Sequence, residues 1–244
     1  MTRSFLFPAL AAALASASFS GVVSAQSAVT SFGNAGGAPQ APWKVVGLPQ
    51  QTKPFTRFSV VDLEGTRALR VEADRSYGNL VHPLRLNDGT PHLAWRWRLE
   101  QPIAAADLHT RGGDDTPVRV CVLFDLPLEK IPFFDRQVLR YARSHSADPV
   151  PGATVCYVWD AHLAAGTMLD SAFTRRIRYV VLEGGDAALH RWFAERRDVA
   201  ADFTRLFGDE SDRVPTITGV AVGADADNTA SHSRAYVTGI TLEP

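Results

Sequence analysis

Net charge, cysteine and long apolar runs are all scarce in this chain. Its 25 basic residues nearly cancel its 26 acidic ones. Neither a basic excess nor a basic run is present, which argues against nucleic acid or an anionic membrane as a partner. Beyond residue 25 no apolar run is long enough to span a bilayer. The sequence has no Gly-x-Ser-x-Gly elbow, no His-Glu-x-x-His, no Cys-x-x-Cys and no phosphate-cradling Gly-rich loop. Its seven His are scattered, at 82, 92, 109, 145, 162, 190 and 232, and no spacing nominates a general acid/base pair. No strand-like run places two carboxylates on one face in an apolar setting, as glycoside hydrolysis would need. These absences lean against an enzyme.

Only two cysteines occur, Cys121 and Cys156, each inside a strand-like run (residues 118–124 and 155–159). In an oxidising compartment they form a disulfide if those strands are neighbours. If not, they are two buried thiols acting as small apolar groups. Spacing alone leaves both readings open.

The N-terminus reads as a secretory signal over residues 1–25. Arg3 supplies the positive start, residues 5–19 are apolar, and Val23-Ser24-Ala25 fits the small-x-small cleavage pattern. The mature chain is therefore expected to be exported, periplasmic or extracellular, with no integral membrane segment after cleavage. Residues 26–42 are small, Gly/Pro-rich and mostly uncharged, the composition of a flexible leader. The remainder, 43–244, is long enough for one domain with a substantial core and shows no internal repeat.

From Trp43 onward, short strand-like runs alternate with turn signals. The clearest has Leu93, Trp95, Trp97 and Leu99 on one face and Arg96 and Arg98 on the other, the period of a half-buried strand. About nine such runs predict a mainly β protein, an antiparallel β-sandwich of jelly-roll type with one or two short helices. One helix is expected over residues 126–142, its start broken by Pro127 and Pro132. The other is Val199–Phe207, with Asp198 as N-cap and Gly208 as its stop.

Three groups of residues stand out. The turn Asp225-Ala226-Asp227-Asn228-Thr229 sits between two strand-like runs and is the densest set of oxygen donors in the chain. Oxygen ligands at that spacing suit a hard cation such as a structural Ca²⁺, although the Gly and distant Glu of an EF-hand loop are not in place. The alternative is a turn whose Asp and Asn bond their own backbone. The second group is Asp114 and Asp115 after a Gly pair, with Arg119. Together with Arg96 and Arg98 these would line a polar pocket on an open sheet face, since Arg forks suit sugar hydroxyls or carboxylates. Structural ion pairs are the alternative. The third group is the aromatics. Trp95 and Trp97 share their face with leucines and read as core, whereas Tyr77 and Trp192 have weaker apolar neighbourhoods and are better stacking platforms for a sugar ring.

Five stretches taken together resemble a bacterial family, the domain-of-unknown-function 3047 (DUF3047) proteins. They are Leu93-Ala-Trp-Arg-Trp-Arg-Leu99, Gly113-Asp114-Asp115-Thr-Pro-Val-Arg119, Tyr157-Val158-Trp159, Arg196-Arg197-Asp198-Val199 with Asp202-Phe203, and Gly219 through Thr229. They run in the family's order over roughly residues 43–243. The resemblance implies a fold and no chemistry. Trp192 and the segments after it are also similar to the last third of jelly-roll, galactose-binding-like carbohydrate-binding modules.

The sequence thus favours an exported, non-catalytic domain that binds a glycan or another polar ligand. A carbohydrate-active hydrolase or lyase using Asp carboxylates is one alternative. An envelope domain that recognises a protein partner is the other.

Overall fold

The computed structural model of the protein describes residue 1 and residues 28–87, 91–184 and 189–243. Residues 2–25 of the expected signal, its cleavage point, and Asp88-Gly89 of an expected turn lie outside the described residues.

Twelve strands are present among the described residues: β1 (Lys44–Val46), β2 (Arg57–Leu63), β3 (Thr66–Asp74), β4 (Tyr77–Leu86), β5 (His92–Gln101), β6 (Thr116–Phe124), β7 (Ala153–Asp160), β8 (Met168–Asp170), β9 (Ile177–Gly184), β10 (Phe193–Asp198), β11 (Ile217–Asp225) and β12 (His232–Glu243). They form two sheets, seven strands in the order β1-β4-β11-β6-β7-β9-β8 and five in the order β10-β5-β12-β3-β2. The pairings are antiparallel except β7 with β9, which is parallel. The last two strands are central: β11 lies between β4 and β6, and β12 between β3 and β5.

The expected sandwich is therefore present, with three more strands than its periodicity suggested. The additions have clear reasons. β1 and β8 are three-residue edge strands. β10 is Phe-Ala-Glu-Arg-Arg-Asp, whose inward positions include Glu195 and Arg197 and so give no apolar alternation.

Period-two alternation builds the core. Leu93, Trp95, Trp97 and Leu99 of β5 are almost fully buried, as are Val118, Val120, Val122 and Phe124 of β6 and Val220 and Val222 of β11. The aromatic rings interlock, with Trp97 edge-on to Trp95 at 5.4 Å and 5.7 Å from Trp159. α2 (Val199–Phe207) closes one side with Phe203 and Phe207 buried, and the Asp198 side chain accepts from Ala201 N as its N-cap. α1 (Phe133–Ser144) starts only after Pro132, and a single 3-10 turn at Leu128–Lys130 precedes it. Prolines thus break the expected 126–142 helix where the sequence places them.

Residues 28–42 correct the leader reading. Val29 and Phe32 are buried in the core. Ala28 N donates to Leu242 O, Gly36 N to Val60 O, and the Trp43 indole to Thr30 O. Small, uncharged composition predicts looseness only where no apolar anchors exist; here two anchors and a set of backbone bonds hold the segment on the sandwich.

A second apolar cluster lies on the outer face of the seven-stranded sheet, where Val81, Ala221, Val158, Tyr179 and Val181 pack with Leu108. The Cys121–Cys156 disulfide sits among them, joining directly opposed residues of β6 and β7. This settles the choice that spacing left open.

Candidate functional site

Two of the predicted groups, more than a hundred residues apart in sequence, meet at one end of this outer face. Arg119 is their centre. Alternation on β6 turns Val118 and Val120 into the core and Arg119 outward, yet the side chain is only 4% exposed. Its Nε donates to Asn79 Oδ1 at 3.2 Å and its Nη1 to Thr116 Oγ1 at 3.4 Å. The guanidinium lies 4.9 Å from the centre of the Tyr77 ring. Asp225 Oδ2 is 3.7 Å from Nη1, an ion-pair distance beyond hydrogen-bond length. Nη2 is buried and has no hydrogen-bond partner among the described residues.

Gly223 makes this approach possible. It faces Arg119 on one side and Asn79 on the other. A Cβ there would collide with Asn79 Oδ1 and come within 3.0 Å of Arg119 Nε.

The two adjacent carboxylates diverge, as an extended chain requires. Asp114 accepts from Ser171 Oγ at 2.6 Å and from the Tyr179 hydroxyl at 3.0 Å. Asp115 is fully buried and holds the 225–229 turn. Its Oδ1 accepts from Asn228 N (3.2 Å) and Nδ2 (3.0 Å), and its Oδ2 from Thr229 N (2.8 Å) and Oγ1 (2.5 Å).

This geometry changes the reading of the turn. Oxygens of Asp115, Asp225 and Asp227 do come within 4.8 Å of one another. But Asn228 and Thr229 present donors to Asp115 rather than oxygens to a cation. Arg119 also stands beside Asp225, and Lys53 pairs with Asp227 at 3.9 Å. Two cations at the acid cluster disfavour a third, so the donor set does not fit Ca²⁺. Burial pushes the Asp225 carboxyl up to about 9, against the opposing pull of Arg119, so it is protonated at neutral pH.

Arg96 and Arg98 do not join this site. Trp95 and Trp97 turn into the core, which places both arginines on the outer face of the five-stranded sheet, across the sandwich from Arg119. Arg98 donates to Glu64 at 2.8 Å and to Glu100, and Arg96 lies 5.2 Å over the Trp192 ring. The expected single pocket is therefore split between two surfaces. The ion-pair reading holds for Arg98, and Trp192 already carries a guanidinium on one face.

Beside the Arg119 cluster a shallow cleft of about 490 Å³ opens at the rim, lined by Lys53, Phe55, Arg57, Glu72, Asp74 and Arg75 among others. Lys53 belongs to both places, and Ser76 at the cleft wall precedes Tyr77 in the chain. Phe55 is half exposed. Glu72 is engaged by Arg70 and Arg234, and Asp74 by Arg75 and His232. Sequence reasoning missed Asn79, Ser171, Tyr179 and Phe55 as site residues. The run of small residues at Gly219, Ala221 and Gly223 was the available signal, since such a stripe on a strand face leaves room for long side chains next door.

Also missed was a carboxyl pair with one member from each sheet, on β10 and β9. Glu195 of β10 accepts from the Trp97 indole at 3.1 Å. Burial, then the Glu195 charge, pushes Glu183 of β9 up to about 7.

Fold and site together define a jelly-roll-like β-sandwich with a buried polar cluster on the outer face of its larger sheet. The chain belongs to the family described as Protein of unknown function (DUF3047), which matches residues 41–241. No curated protein matches it. Among solved structures it is similar to the enzymatically active domain of bacteriophage CBA120 tailspike protein 4, with TM-score 0.36 and 6% identity, over 83% of this chain and 19% of that one. It is also similar to the xyloglucanase domain of NopAA from Sinorhizobium fredii (TM-score 0.40, 8% identity, 84% of this chain and 99% of that one). Endoglucanase 3 of Trichoderma harzianum, from family GH12, gives TM-score 0.40 and 7% identity over 84% of this chain and 98% of that one. Likenesses this distant carry nothing about ligand or reaction.

Proposed function

We propose that the protein is an exported, non-catalytic binding domain for a glycan or another polar ligand of the cell envelope or its surroundings. One observation carries this reading: Arg119 Nη2, buried and unpartnered, in a cluster where the neighbouring polar groups are bonded. An unsatisfied buried donor costs about 1–3 kcal/mol, so a guanidinium fork held this way favours an incoming oxygen. The Tyr77 ring, the Asn79 amide and the adjoining cleft with Phe55 supply the other elements of sugar recognition, a flat apolar face among hydrogen-bonding groups.

The test is retention of the purified chain on a panel of insoluble polysaccharides and peptidoglycan, in Ca²⁺ and in EDTA, with Arg119→Gln and Phe55→Ala alongside. Retention that EDTA leaves intact and either variant weakens supports the reading. No retention on any matrix sinks it.

A hydrolytic reading has one feature in its favour, the buried Asp225 carboxyl 3.7 Å from a guanidinium, since burial raises its pKa and a carboxyl so raised can act as a general acid. Release of new reducing ends from a retained polysaccharide, abolished in Asp225→Asn, would replace binding with catalysis.

A further inference from the structure

α1 is turned the wrong way for a surface helix. Such helices face the core with their apolar stripe and water with their polar one. Here Leu139 alone is buried, while Asp135 reaches Arg176 at 3.2 Å and Arg143 Nε donates to Val150 O. The opposite side carries Phe133, Phe134, Val138 and Tyr141, exposed by 60%, 82%, 62% and 63%. Positions 134, 138 and 141 follow the i, i+4, i+7 rule, and 133 joins them through 137, so the four form one stripe. Among the described residues, the only large apolar side chain elsewhere as exposed as these is Met1. A contiguous apolar patch of this kind marks a contact surface.

The charges beside the stripe indicate what it contacts. Arg136 and Arg140 lie along its flank and have no carboxylate partner among the described residues. Arg136 instead sits 5.9 Å from the Phe133 ring. Asp135 points away to Arg176, Asp148 is paired with Lys44, and Lys130 with Asp212. The near-zero net charge of the chain averages over this helix and conceals it. An antiparallel two-fold pairing of the stripe with a second copy would bring the arginine flanks together.

We propose that α1 is a peripheral docking face for an anionic lipid surface. The helix lies flat, Phe133, Phe134, Val138 and Tyr141 enter the headgroup boundary, and Arg136 and Arg140 meet lipid phosphates. No helix of the described residues is long and apolar enough to cross a bilayer. The site is separate from the Arg119 cluster and does not depend on it.

The test is sedimentation of the protein with vesicles of phosphatidylglycerol and phosphatidylethanolamine, against phosphatidylcholine alone, at low and high salt. The expected result is retention on the anionic vesicles that salt weakens. It should fall at least tenfold in Phe134→Ser/Val138→Ser and in Arg140→Glu. All three side chains are exposed, so melting temperature should stay unchanged. Equal retention on both vesicle types, or equal binding by the variants, overturns the proposal. So does a dimer that the same substitutions dissolve in the absence of vesicle binding, which would assign the stripe to self-association.

Discussion

Replacing Asp225 by Asn should stabilise the protein at neutral pH, against the ordinary expectation for removing half of a buried ion pair. The sign follows from proton linkage. The Asp225 carboxyl titrates near 3.8 in the unfolded chain and about 9 in the folded one. A group whose folded pKa is raised contributes its stability in full below the unfolded value. That contribution is lost as pH rises through the window from about 4 to 9, because the unfolded state gives up a proton that the folded state keeps. The loss is about 1.4 kcal/mol per pH unit, so at pH 7 it reaches about 4 kcal/mol. Asn keeps the shape and hydrogen-bonding capacity of the neutral acid and cannot ionise in either state. Denaturant unfolding of both proteins at intervals from pH 4.5 to 8.5 measures the difference directly, since titrating groups away from Asp225 cancel. The variant's advantage should grow with pH at that slope. A difference that stays flat, with the variant less stable throughout, would show Asp225 ionised in the folded state and bound to Arg119, and would refute the reasoning.

Loss of the disulfide in Cys121→Ala/Cys156→Ala should cost about 4 kcal/mol, the chain-entropy value for a loop of this size, given a sequence separation of 35; thermal melts of the variant against the wild type check it. Glu210→Ala should cost about 3–5 kcal/mol in denaturant unfolding, because it strips the shared carboxylate from two buried arginines, Arg176 and Arg178. A cost below about 1 kcal/mol would mean that Asp135, Asp170 and Asp209 suffice for both.

Much of the architecture was legible because β-strands announce themselves by alternation. Leu93, Trp95, Trp97 and Leu99 all reach the core, and α2 begins and ends at the cap and stop that its sequence marks. β10 shows no apolar alternation because its inward side carries Glu195 and Arg197, which are held by partners rather than by apolar contact. The site was half legible. Tyr77, Asp114, Asp115, Arg119 and the 225–229 turn do assemble, but as one cluster rather than two, since strand pairing sets which rim loops meet. Composition could not distinguish whether Asn228 and Thr229 offer oxygens outward or hydrogens inward; that depends on Asp115, 113 residues away. Arg96 and Arg98 were drawn into the wrong pocket because alternation shows that a residue leaves the core without showing on which of two sheets it emerges.

The central placement of β11 and β12 also constrains the order of events as the chain folds. Before residues 217–243 arrive, the seven-stranded sheet is two fragments, β1-β4 and β6-β7-β9-β8, and the five-stranded sheet is β10-β5 and β2-β3. No fragment buries both of its faces, and every partner of the last two strands is distant in sequence, a slow and non-local closure. Neither sheet can therefore be completed without residues 217–243, whichever part of the chain orders first.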